Sequence, residues 1–306
     1  MRTWTRVLAV ALVGLSTQAL ADPNDFIIRN LGNPADPSTG AAANARFAAF
    51  AKEVGAALTS TNLMAPGTLG HAGFNVSAEL TTAFLRGSRE APSANSDFFQ
   101  MPTERDYPGG SPLLIPSVHV RKGLPFSFEL GTRLAWIDRS NMFAATGEVR
   151  WAVNEGFAYL PDINVRGYGM RLFNTRDFDL GALGLDLGIG KRFAIGGQVT
   201  LAPYAGWNLV WVGAGSGQVD FNPGRTYAES VNPPNAQLTQ DVGMFKEVSL
   251  GSAPHNRFYG GLRFVGGVIQ IGAEISYSLL GSVGEGTASL KPPPVLTLNT
   301  TLGLDF

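Results

Sequence analysis

The fold class this sequence predicts is an all-β membrane protein: an up-and-down antiparallel transmembrane β-barrel of ten strands, preceded by one short helix. Three observations predict it. Apolar and polar residues alternate at a period of two through most of residues 70–306, which marks strands with one apolar face. Charged residues make up only 15% of the chain, against about 25% in soluble domains. The long segments between strands all fall on one side of the sheet. Beyond the first residues no run of about eighteen apolar positions occurs, so no helix is expected to cross a bilayer.

The N-terminus predicts a cleaved leader. Arg2 and Arg6 are a positive start, residues 7–15 a short apolar core, and Ala19-Leu20-Ala21 a small-x-small cleavage site. Residues 1–21 are therefore expected to be a signal peptide, with the mature chain starting at Asp22. Cleavage removes two of 23 basic residues and none of 24 acidic ones, leaving a formal charge of −3. That near-neutral value argues against nucleic acid as a partner. The chain has no cysteine, so no disulfide supports it and no thiol chemistry is available.

Residues 22–69 form an N-terminal periplasmic or plug segment. Pro23, Pro34, Pro37, Gly32 and Gly40 make its first part irregular. A helix is expected over residues 41–59, where Phe47, Phe50, Ala51, Val54 and Leu58 recur at helical spacing. That stripe must be buried, since five such groups in water would cost several kcal/mol. The link of residues 62–70 is short, so the helix is expected to cap or partly plug the periplasmic end of the barrel.

From residue 70 the period becomes two. Strand one is expected over residues 72–84, strand two over 114–122, strand three over 126–137 and strand four over 142–153. Strand five is expected over 163–174, where Gly167 and Gly169 invite a bulge. Strand six is expected over 179–190, strand seven over 198–212, strand eight over 257–265, strand nine over 268–280 and strand ten over 295–306. Twelve strands is the runner-up count, because residues 217–221 and 244–250 could pair. Those pieces are short for a span and read as extensions of strands seven and eight above the membrane. The long connections all follow odd strands, although those after strands three and five are short, and only short turns follow even ones, as in membrane barrels with an even strand count. Aromatics cluster near strand ends: Phe74 and Phe84 lie ten residues apart on one face, roughly 25 Å along the normal at a tilt near 40°.

The final strand carries a family resemblance. Leu296, Leu298, Thr300, Leu302, Leu304 and Phe306 share one face, and the chain ends on the aromatic. This resembles the closing strand of bacterial outer-membrane β-barrel proteins. The resemblance implies an outer-membrane location after cleavage at Ala21, a lipid-facing exterior, and recognition of Leu302, Leu304 and Phe306 by the barrel assembly machinery.

The alternating pattern turns ten charged or titratable residues inward: Glu79, His119, Arg121, Glu129, Arg133, Glu148, Arg150, Asp186, Arg263 and Glu274. Charges of both signs in a narrow lumen are expected to pair, either filling a closed barrel or forming a polar constriction for small solutes. The expected function is a small passive channel or transporter, or a structural barrel with long external loops, acting on a small solute or surface ligand. The alternative is an outer-membrane enzyme with its site at the external rim, omptin-like or lipid-modifying. An omptin-like site would need Asp220, Asp241 and His255 to meet, which no spacing demands. The runs Gly188-Ile189-Gly190-Lys191 and Gly213-Ala214-Gly215-Ser216-Gly217 lack the order of a phosphate loop. No motif calls for a metal, a cofactor or a catalytic residue. Phe98, Phe99, Phe221, Tyr227, Met244 and Phe245 lie in long loops, as a ligand patch or as packing between loops.

Overall fold

The structure, a computed structural model, describes residues 26, 28–85, 112–157, 159–197, 199–222, 224, 228 and 241–306. The leader, Phe98, Phe99 and Tyr227 lie outside the described residues.

Ten strands form one closed antiparallel sheet: β1 (Phe74–Phe84), β2 (Leu113–Leu124), β3 (Phe128–Trp136), β4 (Phe143–Asn154), β5 (Asp162–Phe173), β6 (Phe178–Gly190), β7 (Val199–Ser216), β8 (His255–Gly266), β9 (Ile269–Leu279) and β10 (Val295–Asp305). Each pairs with its neighbours in sequence, and β10 returns to β1 to close the ring. At the seam Phe306 and Phe74 exchange backbone N–H···O bonds of 2.8 and 2.9 Å. Closure removes the free edges that an open sheet would expose. The bulge expected in β5 falls on its partner instead, between Ala152 and Asn154 of β4.

Burial alternates along every long strand, as in the β9 pattern from Ile269 to Leu279. Leu130, Val149, Leu185, Ile271, Ile275 and Leu302 stand exposed on the outside, the face a barrel turns to lipid. Aromatic pairs stack at both ends of this band: Phe128 with Trp151 near the short turns, and Phe143 with Phe173 near the long connections. Phe126, expected to begin strand three, instead lies in the turn Pro125–Ser127 at φ 63°. Pro125 stops β2, and the reversal then needs left-handed backbone at Phe126.

The pieces suspected of forming two more strands do pair, but only as an extension. Val219–Asp220 faces Val242–Gly243, and Ala214 bridges Val248. The wall therefore holds ten strands.

The helix α1 (Gly40–Leu58) lies inside the ring. Phe47, Phe50, Val54 and Leu58 are at most 3% exposed. They pack among Ala83, Leu113, Ile115, Leu172, Phe178 and Val212, all toward the mouth that carries the long connections. The helix is thus at the opposite mouth from the one expected. The reason is the link: residues 59–69 do not turn away beneath the barrel but run down through its lumen to the short-turn end, where Gly70 (φ 79°) starts the reversal into β1. Alanine-rich sequence keeps α1 slender enough for the lumen. Against Val212 of the wall it carries Gly55, whose absent Cβ would sit 2.7 Å from Val212 Cγ2.

Candidate functional site: a charged lumen holding the N-terminal segment

All ten sequence-predicted lumen residues point inward, each at most 8% exposed. Six of them, joined by Arg166, form one connected cluster. Glu79 accepts from Arg133 Nε at 3.1 Å and meets His119 Nδ1 at 2.9 Å. His119 Nε2 lies 3.0 Å from Glu148, which also accepts from Arg121 Nε at 3.3 Å. Arg166 bridges Glu148 at 2.9 Å and Asp186 at 3.2 Å. Three pairs or singles stand apart: Glu129 lies 3.6 Å from Arg150, Arg263 pairs with Asp305 and Gln270, and Glu274 accepts from Tyr204 OH at 3.1 Å.

Sequence reading missed Arg166 and Arg257, both inward and at most 2% exposed. The signal was present for each. Arg257 keeps the period of Arg263, and Arg166 keeps that of Tyr168 and Met170. Also missed were the tyrosines of this face. Tyr259 OH donates to Asp186 Oδ1 at 2.7 Å and accepts from Asn62 Nδ2 at 3.0 Å. It lies over Gly206, where any Cβ would meet its hydroxyl and the Leu187 carbonyl.

The larger omission is what the lumen holds. A guanidinium offers five donors, more than the carboxylates here accept, and the surplus goes to the threaded link. Arg121 donates to the Asn62 carbonyl at 3.0 Å and Arg133 to that of Leu58 at 3.4 Å. Arg166 donates to the carbonyls of Thr61 at 3.0 Å and Ser60 at 3.2 Å. Arg257 donates to Ala56 O at 2.7 Å and to the Thr59 hydroxyl, closing the C-terminus of α1. Arg150 donates to the Asn62 side chain. Acids hold the N–H groups in turn: Glu274 takes that of Leu63 at 2.9 Å, Glu129 that of Leu69 at 2.5 Å and Glu155 that of Thr68 at 2.6 Å. A buried extended peptide must find partners for its backbone, and here the barrel wall supplies them.

Above this polar zone the contents are apolar. Phe47 stacks on Phe245 at 4.8 Å, and Phe221 meets Phe245 edge-on at 5.9 Å. These loop aromatics therefore pack on the plug. Lys52 and Glu53 are exceptions: both are buried, and the Glu53 carboxylate has no hydrogen-bond partner among the described residues.

The residues weighed for catalysis are not assembled. His255 begins β8, buried at 2% exposure, with neither ring nitrogen hydrogen-bonded among the described residues. Asp220 and Asp241 belong to the hairpin extension, where Asp241 accepts from Asn222 at 3.0 Å. Among the described residues no cluster of His, Asp or Glu has metal-holding geometry.

No protein-family model matches the chain, and no curated protein does. Among solved structures it is similar to Neisserial surface protein A (12% identity, 77% of this chain and all of that one, TM-score 0.28). It is also similar to Ail of Yersinia pestis (11%, 77% and 99%, TM-score 0.25) and to the KdgM porin (7%, 75% and 99%, TM-score 0.30).

Proposed function

We propose that this chain is a plugged outer-membrane pore, which passes a small solute when α1 withdraws from the mouth it fills. The observation that carries the reading is how the lumen is closed. Wall side chains do not interdigitate across it. A separate segment fills it, tied mainly by side-chain bonds to its backbone. With that segment displaced, the lumen keeps charges of both signs and a polar lining, a path for water and small polar solutes. Short turns lie on the periplasmic side of such barrels and longer connections outside. On that orientation α1 closes the external mouth, and the link emerges into the periplasm at Gly70. The same reading makes lipid the partner of the outer face and the assembly machinery the reader of Leu302, Leu304 and Phe306. The enzyme alternative gains no support from His255, which has no acid beside it among the described residues.

The absence of cysteine allows a direct test. A Cβ on Gly55 would lie 3.5 Å from Val212 Cβ, within disulfide range. The double variant Gly55→Cys/Val212→Cys is therefore expected to hold α1 shut when oxidised and to show conductance steps in a planar bilayer once reduced. Deleting residues 40–58 should leave insertion intact and raise conductance. A deletion barrel that inserts and stays silent would overturn the proposal.

A further inference from the structure

A second cavity lies outside the ion network, between the exposed flank of α1 and two connections of the long-loop end. It measures about 430 Å³, within the size range of small-ligand sites. Its floor is apolar, made by Ala45 and Ala48 of α1 with Val248 and Val283 opposite. At its base is Lys52, only 8% exposed. The Lys52 ammonium makes one hydrogen bond, to the Leu280 carbonyl at 3.1 Å. An ammonium has three donors, and no carboxylate lies within ion-pair distance of this one among the described residues. The rim differs. Lys246 and Glu285 neutralise each other at 3.1 Å, both largely exposed, and Glu247 lies in solvent beside them.

A buried cation with unused donors at the end of an apolar cavity is an unfinished ion pair. Burying a charge without a partner is costly, and an anion entering from outside would complete it. We infer that this cavity binds a small organic monoanion, a carboxylate on a short apolar body, with the carboxylate on Lys52 Nζ and the body on the alanine floor. The volume sets the size. The rim sets the charge, since a second negative group held at the mouth would face Glu247, the rim acid outside the Lys246–Glu285 pair. The inference does not require the barrel to conduct.

The probes are hexanoate and its neutral counterpart hexanamide, each titrated calorimetrically into the full-length chain in nonionic detergent, with detergent alone as blank. Hexanoate is expected to bind about tenfold more tightly than the amide, the effect of one charge-assisted hydrogen bond. Lys52→Met should remove that preference, while Lys246→Ala at the rim should change it less than about threefold. If Lys52→Met fails to fold, Ala48→Leu fills the floor with the ammonium intact and should weaken both probes about tenfold by exclusion. Equal binding of acid and amide, binding of neither, or a preference surviving in Lys52→Met would each overturn the inference.

Discussion

Replacing Arg257 with methionine should loosen the plug more than any comparable change in the wall. The guanidinium is 2% exposed and reaches the last turn of α1, donating to the Ala56 carbonyl at 2.7 Å and to the Thr59 hydroxyl. Its contacts to the carbonyls of Thr59 and Ser60, both 3.4 Å, are long enough to neglect. Methionine keeps much of the stem and removes only the donors. Two charge-assisted bonds at about 1.5 kcal/mol each amount to about 3 kcal/mol. At 1.4 kcal/mol per tenfold, that raises the withdrawn population of α1 by roughly 100-fold. Arg263→Met is the matched control, because Arg263 bonds Gln270 and Asp305 and touches neither α1 nor the link through any hydrogen bond. Open probability in planar bilayers, with protease sensitivity of α1 as a second readout, compares the two. If Arg257→Met behaves like Arg263→Met in both assays, the wall does not hold the plug in the way argued here.

Two further outcomes are expected. Burial raises the Glu53 carboxyl to about 8, so the docked helix holds a proton that a withdrawn one, near 4.5, releases. Docking is then strongest below about pH 4.5 and weakens as pH rises through about 8; Glu53→Gln should flatten this dependence and favour docking at pH 9 by at least about tenfold, read as protease sensitivity of α1. Phe306→Ala keeps the backbone pair with Phe74 that closes the ring but removes the exposed aromatic; outer-membrane levels should fall while the refolded barrel keeps its thermal stability, and unchanged levels would count against Phe306 as an assembly signal.

The wall was legible because its code is local. Period two assigns a face to each residue without knowledge of its neighbours, so Glu79, His119, Arg133 and Asp186 could be placed inward one by one. The position of α1 depends on residues far apart in sequence. A clue existed: the inward positions nearest the long connections are apolar, as in Ala83 with Leu85, Leu113 with Ile115, and Val210 with Val212, whereas those farther down are charged. An apolar collar at one mouth is a bed for an apolar helix. Its meaning shows only when those ten strand ends are read as one ring. The path of residues 59–69 left a fainter trace, since a polar run such as Thr59-Ser60-Thr61-Asn62 looks like any solvated linker until arginines are found around it. Phe126 was misplaced for a different reason: a turn with left-handed backbone at an aromatic residue has no sequence signature.

In the proposed pore the threaded link would also limit how far the mouth opens. Residues 59–69 reach at most roughly 36–40 Å when fully drawn out, and they are held by the barrel at both ends, Thr59 by Arg257 and Leu69 by Glu129. The helix is therefore on a leash. Its stroke ends where that reach is used up. An open state of the proposed pore would still have a peptide strand along its axis, and its aperture would be the annulus between that strand and the arginines of the wall. Solute size would then be set by link length as well as by lumen charge, and adding residues to the link would widen the stroke without altering a single residue of the barrel.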